Sequence, residues 1–229
     1  MNKREADVCG RKCYVYECGS PDVLLIQPVD DHDISVLDSE AAHIEELAGG
    51  KGFTLAAFKV NDWNTDLSPW EAPPVFGDEG FGSGAEDTLA YITDALLPQL
   101  DEDKYTEVYL GGYSLAGLFS LWAGYQTDVF DGIAACSPSV WFPGWLDHDG
   151  MRSVRAKRVY LSLGDKEEKT RNPVMRTVGD CIRKQAEMLD NDEGCKASIL
   201  EMNPGNHFRE PDLRTAKGFA WLIREQKRR

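Results

Sequence analysis

The sequence predicts an α/β fold: a mostly parallel central sheet with helices on both faces, built by a single domain spanning residues 1–229. Three observations carry that expectation. Short apolar or β-branched runs alternate with helix-length segments, the pattern of a parallel sheet covered on both sides. One run, Val108-Tyr109-Leu110-Gly111-Gly112, reaches Ser114 and passes at once into an apolar helix. The unusual polar residues Asp30, Asp31, Ser114, Ser137, Asp165, Glu167 and His207 all follow predicted strands. Such a sheet presents its chemistry at those carboxyl ends.

The elements follow in order. Residues 12–18 read as a first strand, and Gly19-Ser20-Pro21-Asp22 as a turn. The unbroken apolar run 23–29 suits a buried strand, and Asp30-Asp31-His32-Asp33 reads as a polar loop at its end. Asp38 or Ser39 is placed to cap a helix through Ala41, Ile44 and Leu47, which Gly49-Gly50 stops. Residues 53–58 form the next strand. The segment 61–83 has no periodicity, yet carries Trp63, Trp70, Phe76 and Phe81, too many aromatics for disorder. It either seals the core or walls a pocket. A helix is expected over 85–100, a strand over 106–110, and the apolar helix from Leu115 to about residue 126. Further strands are expected over 130–136, 158–163 and 197–202, and helices over 173–189 and 212–226. The basic end Lys227-Arg228-Arg229 complements the dipole of the last helix.

Composition narrows the partners. The 229 residues, 42% hydrophobic, supply one sizeable core. A net charge of −14 argues against nucleic acid and anionic membranes as partners. The first residues, Met1-Asn2-Lys3-Arg4-Glu5-Ala6-Asp7, have no apolar signal core, and no run approaches a membrane span. A cytoplasmic location with reduced thiols is expected. Cys9, Cys13 and Cys18 lack paired zinc-site spacing, so neither a metal nor a cofactor is expected.

The chemistry centres on Ser114. A strand that turns directly into a helix leaves one residue exposed at the apex and needs small neighbours, the mechanical basis of the G-x-S-x-G elbow. Gly112 and Ser114 fit, while Ala116 followed by Gly117 makes the match G-x-S-x-A-G. A serine hydroxyl needs a base, and the base a carboxylate to orient it. Of four histidines, His43 lies in a helix pattern, His148 in a polar loop and His32 after an early strand. His207 alone follows the last strand, with His32 as the fallback base. Asp165, Glu167 and Glu168 all stand close enough after strand 158–163 to supply the acid. The backbone amide of Leu115, at the head of a helix, is one candidate oxyanion donor, and that of Asp30 the other. Trp63, Trp70, Trp141 and Trp145 are candidates for an aromatic pocket wall.

These motifs together resemble the α/β-hydrolase superfamily, and within it the esterase group that includes esterase D, enterochelin-type esterases and feruloyl esterases. The resemblance runs from about Val23 to the final helix. It rests on Gly112-Tyr113-Ser114-Leu115-Ala116-Gly117, Ser137-Pro138-Ser139 with Trp141, Gly164-x-x-Glu167, and Gly205-Asn206-His207. It implies a single-domain α/β-hydrolase fold without a cap domain, a Ser137 segment bordering the site, and Glu167 rather than Asp165 as the acid. Two positions depart from that group. Ala116 replaces a glycine, and Pro28-Val29-Asp30 stands where many members carry His-Gly. The expected activity is hydrolysis of a small-molecule ester through Ser114, Glu167 and His207. An acyltransferase or an inactive hydrolase-like binding protein are the rival readings on the same scaffold.

Overall fold

A computed structural model describes residues 1–149 and 153–226, without the side chains of residues 148 and 149. The His148 side chain and the basic end at 227–229 therefore lie outside what is described. In chain order the larger elements are β1 (Asn2–Val8), β2 (Arg11–Cys18), β3 (Pro21–Val29), α1 (Asp31–Leu47), β4 (Gly52–Lys59) and α2 (Trp63–Asp66). Next come α3 (Ala85–Tyr91), α4 (Leu97–Leu100), β5 (Glu107–Tyr113), α5 (Leu115–Gln126), β6 (Gly132–Cys136) and α6 (Trp145–Asp149). The chain closes with β7 (Arg158–Gly164), α7 (Val178–Asp190), β8 (Ala197–Asn203) and α8 (Pro211–Glu225).

The eight strands form one sheet in the order β1-β2-β4-β3-β5-β6-β7-β8. Strands β4, β3, β5, β6, β7 and β8 run parallel, and β2 and β1 join antiparallel at one edge. Each face buries its own core. On one side Leu37, Ala41 and Ile44 of α1 meet Ala216, Phe219 and Leu222 of α8. On the other, α3, α4, α5 and α7 cover the sheet through residues such as Ala85, Leu97, Phe119 and Ile182. This is the expected α/β class, and among the described residues no cap domain rises over the strand ends. No described helix is long and apolar enough to cross a membrane.

Three local expectations change. Strand β1 went unread because its outer residues, Asn2 to Glu5, are all exposed and charged or polar. A charged edge strand repels further pairing and carries no apolar alternation. Helix α1 starts at Asp31, seven residues before Asp38, so residues 31–33 are its first turn and not a loop. Its cap is Asp30, whose carboxylate accepts from the Asp33 amide while the Asp33 carboxylate accepts from the Asp30 amide, a reciprocal capping box. Its first turn, Asp31-His32-Asp33, is wholly polar and hid the start, because its fully buried apolar positions begin only at Leu37. Finally, the helix expected over 85–100 widens into a π-turn at Ile92–Leu96, where the Leu97 amide donates to Ile92 O. Pro98, which has no N–H to continue the ladder, follows at once.

Candidate active site

Strand β5 runs on through Gly111 and Gly112 to Tyr113, so Ser114 is the single residue between it and α5. Its backbone sits at φ 58 and ψ −119. For a residue with a Cβ that strain costs roughly 1–3 kcal/mol and persists only where neighbours enforce it. Here the Ser114 amide donates to Cys136 O at 3.0 Å, and its carbonyl accepts from the Leu118 and Ser139 amides, each at 3.1 Å. The bend works because Gly112 lacks a side chain. A Cβ there would lie 2.6 Å from the Ala116 Cβ. The two positions share one space, and this is why Ala116 is tolerated in a motif that usually holds glycine.

Two later loops bring their side chains to this apex. His207, after β8, lies with Nε2 3.1 Å from Ser114 Oγ and Nδ1 2.7 Å from Glu167 Oε2. Glu167, after β7, is buried, and its other oxygen accepts from the Gly164 amide at 2.7 Å, Ser137 Oγ at 2.8 Å and Arg214 Nη1 at 2.9 Å. Burial opposes its charge. The His207 hydrogen bond and charge, the Ser137 hydroxyl and the Gly164 amide outweigh that, and hold its pKa below the ordinary glutamate value. Gly164 permits this approach, since a Cβ there would meet Gly205 O and stand 2.9 Å from Glu167 Oε1. The neighbouring carboxylates are engaged elsewhere. Asp165 accepts from the Gly205 amide at 2.7 Å, steadying the loop that carries His207, and Glu168 pairs with Arg183 at 3.1 Å.

Arg214 and Tyr113 were missed by the sequence reading. Arg214, on α8, is only 2% exposed. Besides Glu167, its guanidinium binds Tyr113 Oη at 2.9 Å, Asn206 O at 3.0 Å and Pro204 O at 3.1 Å. It thus ties the acid to the histidine loop. Tyr113 Oη in turn donates to His207 O at 2.7 Å, and burial pushes the phenol pKa up, so it stays a donor. A signal existed for Arg214. Positions 214, 218 and 222 recur at helical spacing with Thr215, Phe219 and Ile223, which puts the arginine on the buried stripe of α8.

The remaining predicted residues divide. The Leu115 amide opens α5, where intrahelical bonding leaves N–H groups unused. The Asp30 amide faces the Asp33 carboxylate at 3.3 Å, a long contact. Asp33 itself is pushed up to about 6, first by burial and then by the charge of Asp30. A cavity of about 300 Å³ opens beside Ser114 and is lined by Asp30, His32, Asp33, Trp63 and Tyr113 among others. A second, of about 250 Å³, lies beside Glu167 and includes Ser137 and Trp141. The Ser137 hydroxyl is nevertheless committed to Glu167. Trp70 lines neither cavity. Its indole donates to Pro143 O at 2.8 Å, and it packs on Phe142 and Trp145. Segment 61–83 does both: Trp63 lines the cavity beside Ser114, while Phe81 contacts Trp141 and Phe142 in an aromatic cluster. Trp145 is buried, with its indole on Gln185.

A parallel sheet with an antiparallel edge, covered on both faces and carrying a serine elbow, a carboxylate loop and a histidine loop in that chain order, is the α/β-hydrolase fold. The solved structures it is similar to include ones named as serine hydrolases and siderophore hydrolases. One is an IroE-like serine hydrolase from Shewanella oneidensis, at 14% identity and a TM-score of 0.80, over 97% of this chain and 80% of the other. Two are the siderophore hydrolases EstA and EstB from Aspergillus nidulans. EstA is 16% identical with a TM-score of 0.78, over 99% of this chain and 95% of its own. EstB is 18% identical with a TM-score of 0.72, over 99% and 96%. No protein-family model and no curated protein sequence matches the chain.

Proposed function

We propose that the chain works as one domain and is a cytoplasmic serine esterase of small-molecule esters. The observation that carries the reading is the unbroken hydrogen-bond path from Ser114 Oγ through His207 to Glu167, at 3.1 and 2.7 Å, with the serine held in a strained bend. In this reading Ser114 Oγ attacks the ester carbonyl and His207 Nε2 takes its proton. Glu167 holds the imidazole with its proton on Nδ1 and stabilises the imidazolium. The tetrahedral oxyanion is received by the Leu115 amide and by the Asp30 amide, which must exchange its Asp33 partner for the substrate oxygen. Collapse breaks the C–O bond, the alcohol leaves with the proton from His207, and water repeats the cycle on the acyl-enzyme. Six unpaired cysteines suit a reducing compartment.

The names of the structural neighbours make siderophore esters the first natural substrates to try. The test is labelling of Ser114 by a fluorophosphonate, together with turnover of an activated ester. The reading requires both, and requires Ser114→Ala to lose both. Equal turnover by Ser114→Ala would remove it.

A further inference from the structure

The two cavities meet at His207 and Phe208, which line both, and they carry opposite charge. The cavity beside Ser114 presents Asp30 and Asp33 and contains no lysine or arginine. One oxygen of each carboxylate is held in the reciprocal capping box, which leaves the other oxygen of each for a ligand. Trp63 and Phe208 add aromatic surface, and Phe208 is 85% exposed. Carboxylates beside aromatic faces suit an ammonium group.

The cavity beside Glu167 has the reverse character. It presents Lys166 and Lys169, with the polar groups of Thr170 and Asn206 and an apolar floor that includes Met175. Its one acid, Glu167, is turned inward and paired with Arg214 at 2.9 Å and His207 at 2.7 Å. Among the described residues, neither lysine has a carboxylate within ion-pair distance. That is notable in a chain with 39 acidic and 25 basic side chains, where carboxylates are plentiful. Two cations left unpaired beside a cavity favour an anionic group there.

Sheet order sets the separation. Asp30 follows β3, Ser114 follows β5 and Lys166 follows β7, and these strands stand in the order β3-β5-β6-β7. Three inter-strand steps give on the order of 14 Å between the charged walls, with the serine hydroxyl between them. We propose that this site takes dipolar esters, with a cationic group over Asp30 and Asp33 on one side of the scissile bond and an anionic group at Lys166 and Lys169 on the other. The proposal rests on the esterase reading and names its substrate class.

The experiment compares matched synthetic esters on the intact protein: a neutral ester, one with an ammonium only, one with a carboxylate only, and dipolar esters in both orientations. The expected result is a higher kcat/KM for one dipolar orientation, by roughly three- to tenfold per charge at low salt, shrinking as salt is added. The double variant Lys166→Ala, Lys169→Ala should remove the carboxylate's advantage and Asp33→Asn should reduce the ammonium's. Each is read as a charged-to-neutral ratio within one variant, so a general loss of activity cancels. Equal rates across the set in the wild type, or a preference for one charge only, overturn the dipolar reading while Ser114-dependent turnover keeps the esterase. If no ester is turned over and Ser114 takes no label, both readings fall.

Discussion

Substituting Glu167→Gln isolates the carboxylate with little change in shape, and the structure dictates how the amide would sit. The position of Oε1 faces three donors, from Gly164, Ser137 and Arg214, while that of Oε2 faces only His207 Nδ1. The glutamine must therefore keep its oxygen toward the three donors and turn its NH2 to His207. An NH2 opposite Nδ1 makes that nitrogen the acceptor, which moves the imidazole proton to Nε2, against Ser114. A histidine in that tautomer cannot take the serine's proton. The expected loss is about 10⁴-fold in kcat, the cost of the wrong tautomer in a triad. Losing a charge-assisted hydrogen bond also costs about 2–3 kcal/mol, or roughly 4–12 °C in Tm for a chain of this size. Glu168→Gln, at the next residue but among the described residues paired with Arg183 alone, should stay within about twofold of wild type. Steady-state kinetics on an activated ester and a thermal melt give both numbers. Activity of Glu167→Gln within tenfold of wild type would refute the tautomer argument, and an equal loss in Glu168→Gln would refute the assignment of the acid. The pH dependence follows from the depressed pKa of Glu167. Its stabilisation is complete above the unfolded-state value and is lost as pH falls through the lower folded value, so the Tm gap between wild type and Glu167→Gln should close on acidification below about pH 4.5.

Three further outcomes are expected. Arg214→Met removes the buried partner of Glu167 and the tie to Pro204 O and Asn206 O, and should cost about 3–5 kcal/mol, seen as a Tm drop of roughly 6–20 °C. A drop under about 2 °C would contradict the role given to it. Asp33→Asn should raise Tm above pH 6, because the folded pKa of about 6 exceeds the reference value of 3.8 and the ionised form is disfavoured in the fold. That gain should fade as pH falls toward 4, and a gain that persists there would point to another cause. Ala116→Gly restores the more usual elbow residue yet should lower stability by about 1–2 kcal/mol, from helix propensity and one buried methyl, with kcat within about threefold. A large kcat change would mean that Ala116 shapes the serine's position.

What the sequence made legible was local. The elbow could be read because the sterics of Gly112, Ser114 and Ala116 act within five residues. The parallel strands could be read because a strand buried on both faces is a continuous apolar run, as in β3 and β6. The start of α1 could not, since its first turn is all polar and its cap is formed by a reciprocal aspartate pair rather than an apolar pattern. Choosing among Asp165, Glu167 and Glu168 was also beyond periodicity. A single 3-10 turn at Glu167–Lys169 buries one carboxylate and exposes its neighbours, and the resemblance alone favoured Glu167. Arg214 lay on a readable stripe, but its partner is 47 residues away and the contact exists only once α8 packs beneath β7.

The capping of α1 links the fold to the chemistry. Helices α1 and α5 begin directly after the adjacent parallel strands β3 and β5, so both present their N-termini at the edge of the sheet where Ser114 stands. Two helix N-termini supply partial positive charge where an oxyanion would form. At α5 no acidic side chain lies in the first turn, so its field is uncompensated. At α1, Asp30, Asp31 and Asp33 cap and neutralise the same end. The carboxylates that cap α1 therefore diminish what its N-terminus can offer an oxyanion, and the Asp30 amide starts the reaction bonded to one of them. A cation held by the substrate against Asp30 and Asp33 would offset those charges at the moment the oxyanion develops. Under the dipolar-ester proposal, the departure at Pro28-Val29-Asp30 need not be a damaged oxyanion segment: its second donor would be completed by the charge of the substrate.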